Sequence, residues 1–384
     1  MHWKLAIAGA VLSLALAAWW ARPYAESAAL ILDLTGPGGL ARTLLPVRTR
    51  SVSARDVLVT TRYGPVPARV YRPSGTPTRA VVVYPGIHSG GVDEPRLAAF
   101  SRRLAATGAT VLSAPLPDLR LYEITPRSTD VAEDVAIWMA AQPDLAPGGR
   151  VGLAGISFGG GLALVAAGRP SLAGKVDVVV SLGGHGDLPR ALHYICTGEL
   201  PDGTTRPPHD YGLAILLLAA LPRLVPPDQV APLRHAIVSY LDASGAESTD
   251  SARAKALLAD AEAQGRALAE PARTVMHWVT TRDAKTVGPK LVPYLEEMGG
   301  AAALSPERSP ATMAPVFLLH GIEDNVIPPT ETPRLAAYLR AQGNAHVDWL
   351  LTPLISHADT KVTSARDVWN MVAFWKRVLR SPAR

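Results

Sequence analysis

Short apolar runs separated by amphipathic stretches make up most of the chain. "RDVLVTTRYGPVPARVYRP", from Arg55 to Pro73, alternates apolar and polar positions on both sides of Tyr63-Gly64-Pro65, the pattern of an antiparallel hairpin at the start of a sheet. Beyond it the runs become continuously apolar: "AVVVYPG" at Ala80–Gly86, "TVLSAPLP" near Thr110, "RVGLAG" near Arg150, "VDVVVSLGG" near Val176 and "PVFLLHG" near Pro315. Runs of this length predict strands buried on both faces. Glu94 to Thr107, Asp130 to Ala141 and Leu162 to Ala167 carry apolar residues at helical spacing between them. Repeated strand, helix, strand units predict an α/β fold with a mostly parallel, doubly wound sheet.

That rhythm stops between Gly184 and Pro315, where helical patterns dominate, and an inserted helical cap over residues 188–312 is expected. Its most apolar piece, Tyr211 to Val225, is too short to span a bilayer and reads as a helix packed inside the cap, the other reading being a lid surface facing a lipid-like substrate. The expected organisation is residues 1–25 as a signal peptide or membrane anchor, 26–50 as a linker broken at Gly36-Pro37-Gly38-Gly39, 51–187 as the first part of the core, 188–312 as cap and 313–384 as the second part.

At the N-terminus Lys4 precedes an apolar run from Leu5 to Trp20, followed by Arg22 and Pro23. This is an export pattern. Ala15-Leu16-Ala17 offers small residues at a cleavage site, and Trp19-Trp20 suit an interfacial belt, so cleavable signal and anchor both remain open. Either way residues 5–20 imply membrane association or export, with the folded body outside the cytoplasm.

The 384 residues carry a formal net charge of +5, but Lys and Arg are scattered without the clustered basic and aromatic stretches of a nucleic-acid groove. The single cysteine, Cys196, excludes an intrachain disulfide and a thiolate metal cluster.

Chemistry concentrates at Gly155-Ile156-Ser157-Phe158-Gly159. An apolar strand leads in and a helical pattern leads out, so Ser157 falls on a sharp strand-to-helix turn, with glycines two residues before and after it where side chains would collide. A serine becomes nucleophilic only when a base takes its proton and a carboxylate orients that base. "LLHGIEDNVIPP" places Asp324 just past a strand ending at His320-Gly321, and "LISHADT" places His357 33 residues later, before a final helix. Glu323 and Asp187 compete with Asp324 for the acid, and His88, His185 and His320 compete with His357 for the base. His88, His185 and Asp187, with Glu94 or His193, have no metal-site spacing, and no metal is expected.

The order Ser157, Asp324, His357, with G-x-S-x-G and H-G-x-x-D in their strand contexts, resembles the α/β-hydrolase superfamily, in its serine esterase/lipase or dienelactone-hydrolase-like branches. The resemblance covers roughly Arg55–Gly184 and Pro315–Leu379; the cap matches no known pattern. It implies a serine hydrolase that cleaves a carboxylic ester of a small molecule through an acyl-enzyme without a cofactor; the apolar stretch Tyr211–Val225 and the N-terminal run add lipid-like esters to the candidate substrates. Its oxyanion hole would comprise the backbone N–H of Phe158 and, from "YPGIHSGG", that of Ile87, with His88 as the alternative donor. His88, Asp118, Tyr122 and His185 are expected to line the substrate pocket. Two rival functions use the same residues or fold: acyl transfer to an alcohol or amine, and ligand binding without turnover.

Overall fold

The computed structural model describes residues 21, 23–31, 50–247, 249–355 and 364–381. Its sheet begins with a hairpin, β1 (Val52–Thr61) and β2 (Gly64–Pro73), closed by a two-residue turn in register Thr61 to Gly64. There follow β3 (Arg79–Tyr84), α1 (Pro95–Ala106), β4 (Ala109–Ser113), α2 (Arg127–Ala140), β5 (Val151–Ile156), α3 (Phe158–Ala167) and β6 (Val176–Leu182). The six main helices that come next are α4 (Leu188–Thr197), α5 (Asp210–Leu224), α6 (Pro227–Ala246), α7 (Ser251–Ala267), α8 (Ala272–Thr280) and α9 (Ala284–Leu291). Last come β7 (Val316–Gly321), α10 (Glu331–Ala341), β8 (Val347–Thr352) and α11 (Ala365–Arg380).

The eight strands lie in the order β1-β2-β4-β3-β5-β6-β7-β8, antiparallel through β1, β2 and β4 and parallel from β4 to β8. Continuous apolar runs suit the central strands because both faces are covered. On β3, Val82 and Tyr84 join the core beneath α2 and α3, while Val81 and Val83 join the core beneath α1 and α11. Helix ends follow local chemistry too. Glu94 caps α1 by accepting the Leu97 N–H at 2.6 Å, and Pro95 occupies the first helical position, where its missing N–H costs nothing.

Helix α5 is buried nearly all round, with Leu213 to Leu218, Ala220 and Leu221 enclosed by its neighbours, so its apolar run serves packing among helices. No helix among the described residues is long and apolar enough to cross a membrane, and residues 5–20 lie outside them. Residues 23–31 are helical, and Leu30 and Ile31 are buried in the core beneath α11. The stretch expected as a linker from residue 26 therefore starts as docked helix. Tyr24 stacks on Trp369 of α11 at 5.3 Å, and Lys376 donates to its hydroxyl at 2.7 Å.

The 188–312 segment is joined to the strand ends by polar ties. Glu331, at the start of α10 and fully buried, accepts the N–H groups of Gly186 and Asp187 at 2.9 and 3.2 Å and two bonds from Arg190 of α4 at 2.6 and 2.9 Å. Arg206 donates to the Ile322 carbonyl at 2.9 Å, and the His209 N–H to that of Asn325 at 2.7 Å. These bonds hold the helices over the loop that follows β7.

Candidate active site

Register sets the site. Tyr84 of β3 lies beside Gly155 of β5, so the chain segments leaving these two strands start side by side at the carboxyl edge of the sheet. Ser157 caps α3 with φ +53° and ψ −128°, a left-handed backbone that a residue with a β-carbon adopts only under constraint. The Ser157 N–H donates to Leu182 at 2.7 Å, and its carbonyl accepts from Gly160 at 2.8 Å, fixing the turn on both sides. A β-carbon on Gly155 would overlap the carbonyl of Gly159, and one on Gly159 would overlap that of Pro85. Both glycines are thus sterically required. Ser157 stands half-buried at the positive end of a ten-residue helix, where developing negative charge is favoured.

Gly86 borders the serine directly: a β-carbon there would sit 3.0 Å from Ser157 Cβ and 3.4 Å from its Oγ. The segment carrying Ile87 and the turn carrying Phe158 therefore converge on one hydroxyl. On the next pair of strands, Asp324 is held in the loop after β7 with 4% of its surface exposed. Its Oδ1 accepts the N–H groups of Val326 and Ile327 at 2.9 and 3.0 Å, and Oδ2 lies 3.4 Å from His320 Nε2. Gly183, past the end of β6 with φ +65°, leaves room for that carboxylate; a β-carbon would stand 3.4 Å from Oδ2.

Among solved structures, an acylaminoacyl peptidase in complex with Z-Gly-Gly-Phe-chloromethyl ketone matches 90% of this chain and 44% of its own length, with a TM-score of 0.51 at 13% identity. The chain has the α/β-hydrolase fold. An esterase from Pyrobaculum calidifontis (TM-score 0.46, 21% identity, 85% of this chain and 86% of that one) is also similar. So is a dienelactone hydrolase from Klebsiella pneumoniae subsp. pneumoniae (0.42, 16%, 84% and 98%). No protein-family model and no curated protein sequence matches.

Within this α/β-hydrolase fold the remaining expected residues separate clearly. His357 lies outside the described residues. His320 is a strut: its Nε2 donates to the Ile327 carbonyl at 3.0 Å, and its Nδ1 lies 2.8 Å from the Thr332 hydroxyl. Asp187 caps α4 through the Arg190 N–H at 3.0 Å and pairs with Arg308 at 2.6 Å. Burial opposes its ionisation, but Arg308 and the Arg190 N–H outweigh that and hold its carboxyl below the usual range. Glu323 is exposed.

Two of the pocket expectations need correcting. His185 is fully buried beneath Gly161, where any β-carbon would overlap its ring; it packs against Phe158 at 4.8 Å and meets the Leu304 carbonyl through Nε2 at 2.8 Å. Burial pushes its pKa down and keeps it neutral. It supports the helix behind the serine and lines no pocket mouth. Asp118 is buried and turns its carboxylate into its own loop, accepting from the Thr125 hydroxyl with Arg127 at 3.7 Å.

Tyr122 is only 3% exposed and gives its hydroxyl to Asp242 of α6 at 2.6 Å. His88 stays beside Ile87 with Nδ1 buried and unpartnered among the described residues; burial pushes its pKa down against the pull of Glu94. Sequence reasoning missed Gly86 as the serine's neighbour, Glu331 as the anchor of α4, and Tyr211 and Asp242 as partners of the loop after β3. The described residues contain no cluster of three metal-ligating side chains.

Proposed function

We propose that the chain is a serine hydrolase that cleaves a carboxylic ester of a small molecule through an acyl-enzyme. Ser157 Oγ attacks the acyl carbon while His357 accepts its proton, and Asp324 orients the imidazole. The tetrahedral oxyanion is held by the N–H groups of Phe158 and Ile87. Collapse expels the alcohol, which takes the proton from His357. Water then attacks the acyl carbon, giving its proton to His357, and the acid leaves as Ser157 regains a proton. Export or anchoring through residues 5–20 belongs to the same proposal and puts the catalytic body outside the cytoplasm.

The observation that carries this reading is the constrained left-handed Ser157 at the start of α3, packed against Gly86. A structural turn serine needs neither the strain nor the approach of a second loop. Kinetics on a p-nitrophenyl ester series from acetate to palmitate, run on the protein and on Ser157→Ala, test it. Turnover lost by several orders of magnitude in the variant is expected. Equal rates, or an inert protein across the series, would remove the support for ester hydrolysis.

A further inference from the structure

The loop after β3 is tied to the helical segment above it by side-chain bonds. The Ile87 carbonyl accepts the Tyr211 hydroxyl of α5 at 2.8 Å. Two residues on, the Ser89 hydroxyl donates to Asp242 Oδ1 of α6 at 2.6 Å, and the same oxygen accepts from Tyr122 at 2.6 Å. Tyr122 adopts φ +60° in making that bond, and its ring meets Tyr211 edge-on at 6.4 Å. Gly86, Gly90 and Gly91 flank this short stretch, and Gly91 has φ +59°. A backbone so rich in glycine has wide conformational freedom of its own, and these ties restrict it.

We infer that Tyr211 and Asp242 are positioning residues for the oxyanion loop, so that the helices above the sheet govern the chemical step as well as the room for substrate. This rests on the proposed hydrolase reading, since it requires the Ile87 N–H to face the forming oxyanion. Such a donor works only within hydrogen-bond distance of the place where charge develops, and misplacement by about 1 Å costs up to about 100-fold. With the Ile87 carbonyl fixed by Tyr211, the plane joining residues 87 and 88 cannot swing; the Ile87 N–H belongs to the preceding peptide plane, which is hinged to this one at the Ile87 Cα and is restricted through it.

The test compares the protein with Tyr211→Phe, Asp242→Ala, Asp242→Asn and Ser157→Ala. Readouts are kcat and KM on the best p-nitrophenyl ester, affinity for an alkylboronic acid that forms a tetrahedral adduct on serine, and the urea midpoint. Tyr211→Phe and Asp242→Ala are expected to lower kcat roughly 10- to 100-fold. KM should stay within about threefold, boronate affinity should fall in step with kcat, and Asp242→Asn, which keeps an acceptor oxygen for both hydroxyls, should recover most of the loss. If Tyr211→Phe and Asp242→Ala retain kcat while Ser157→Ala is inactive, the positioning role is overturned and the hydrolase reading stands. A rise in KM alone, or a kcat loss that merely follows the urea midpoint, also overturns it. Hydrolysis surviving in Ser157→Ala overturns the hydrolase reading and this inference with it.

Discussion

Gly86 and Ser157 come from different loops and approach so closely that a β-carbon at position 86 would lie 3.0 Å from that of the serine. The Ser157 β-carbon cannot retreat, because its turn is closed by the Leu182 and Gly160 bonds. Gly86→Ala is expected to lower turnover roughly 10- to 100-fold by displacing the hydroxyl or the neighbouring N–H donors. Kinetics beside a urea melt check that activity falls while the fold stays intact.

Gly155→Ala strikes the same turn from below. Its new methyl group would overlap the Gly159 carbonyl, part of the backbone itself, so no rotamer relieves the clash. A loss of about 3 kcal/mol or more, read from the urea midpoint or as failure to accumulate soluble protein, is expected.

Asp324→Asn keeps an acceptor for the Val326 and Ile327 N–H groups and removes the charge. Stability should change little, whereas kcat should fall on the order of 10⁴, the scale seen when a triad carboxylate is neutralised. Thermal melts and ester kinetics on one preparation separate the two effects.

Glu331 holds four hydrogen bonds without any exposed surface. In Glu331→Ala, Arg190 and two backbone donors lose their common acceptor. A destabilisation of about 3 kcal/mol is expected, measured by chemical denaturation.

Acid should weaken the fold in two stages. The folded pKa of His185 is depressed by burial, so its contribution is complete above the unfolded value near 6.5 and is lost as pH falls from there toward the folded value. Asp187, held low chiefly by Arg308 against its own burial, adds stability that disappears only at lower pH, as the medium drops from the ordinary carboxylate pKa through the folded one. Urea midpoints between pH 7.5 and 5.5 should therefore decline in the protein and decline less in His185→Gln.

Much of the architecture was legible because its causes are local. Apolar runs covered on both faces marked the central strands, and two glycines at fixed spacing marked the turn at Ser157. Strand β8 is not legible in the sequence: it lies at the sheet edge, with Trp349 exposed and Leu350 and Leu351 only partly covered, so neither alternation nor a continuous buried run stands out. Helix α2 begins at Arg127, ahead of the expected Asp130, because its first turn follows Pro126 rather than an apolar position. The fates of His185 and Asp118 depend on Leu304, Phe158, Thr125 and Arg127, and periodicity says nothing about such meetings. The pairing of Tyr211 with Ile87 is of the same kind, bridging 124 positions of sequence.

The most direct test of the account is mass spectrometry of the intact protein, quenched during turnover of a slowly hydrolysed ester. An added mass equal to the acyl group, mapped by digestion to Ser157 and absent from Ser157→Ala, is the predicted result. Turnover without any adduct, or an adduct on another residue, would contradict it.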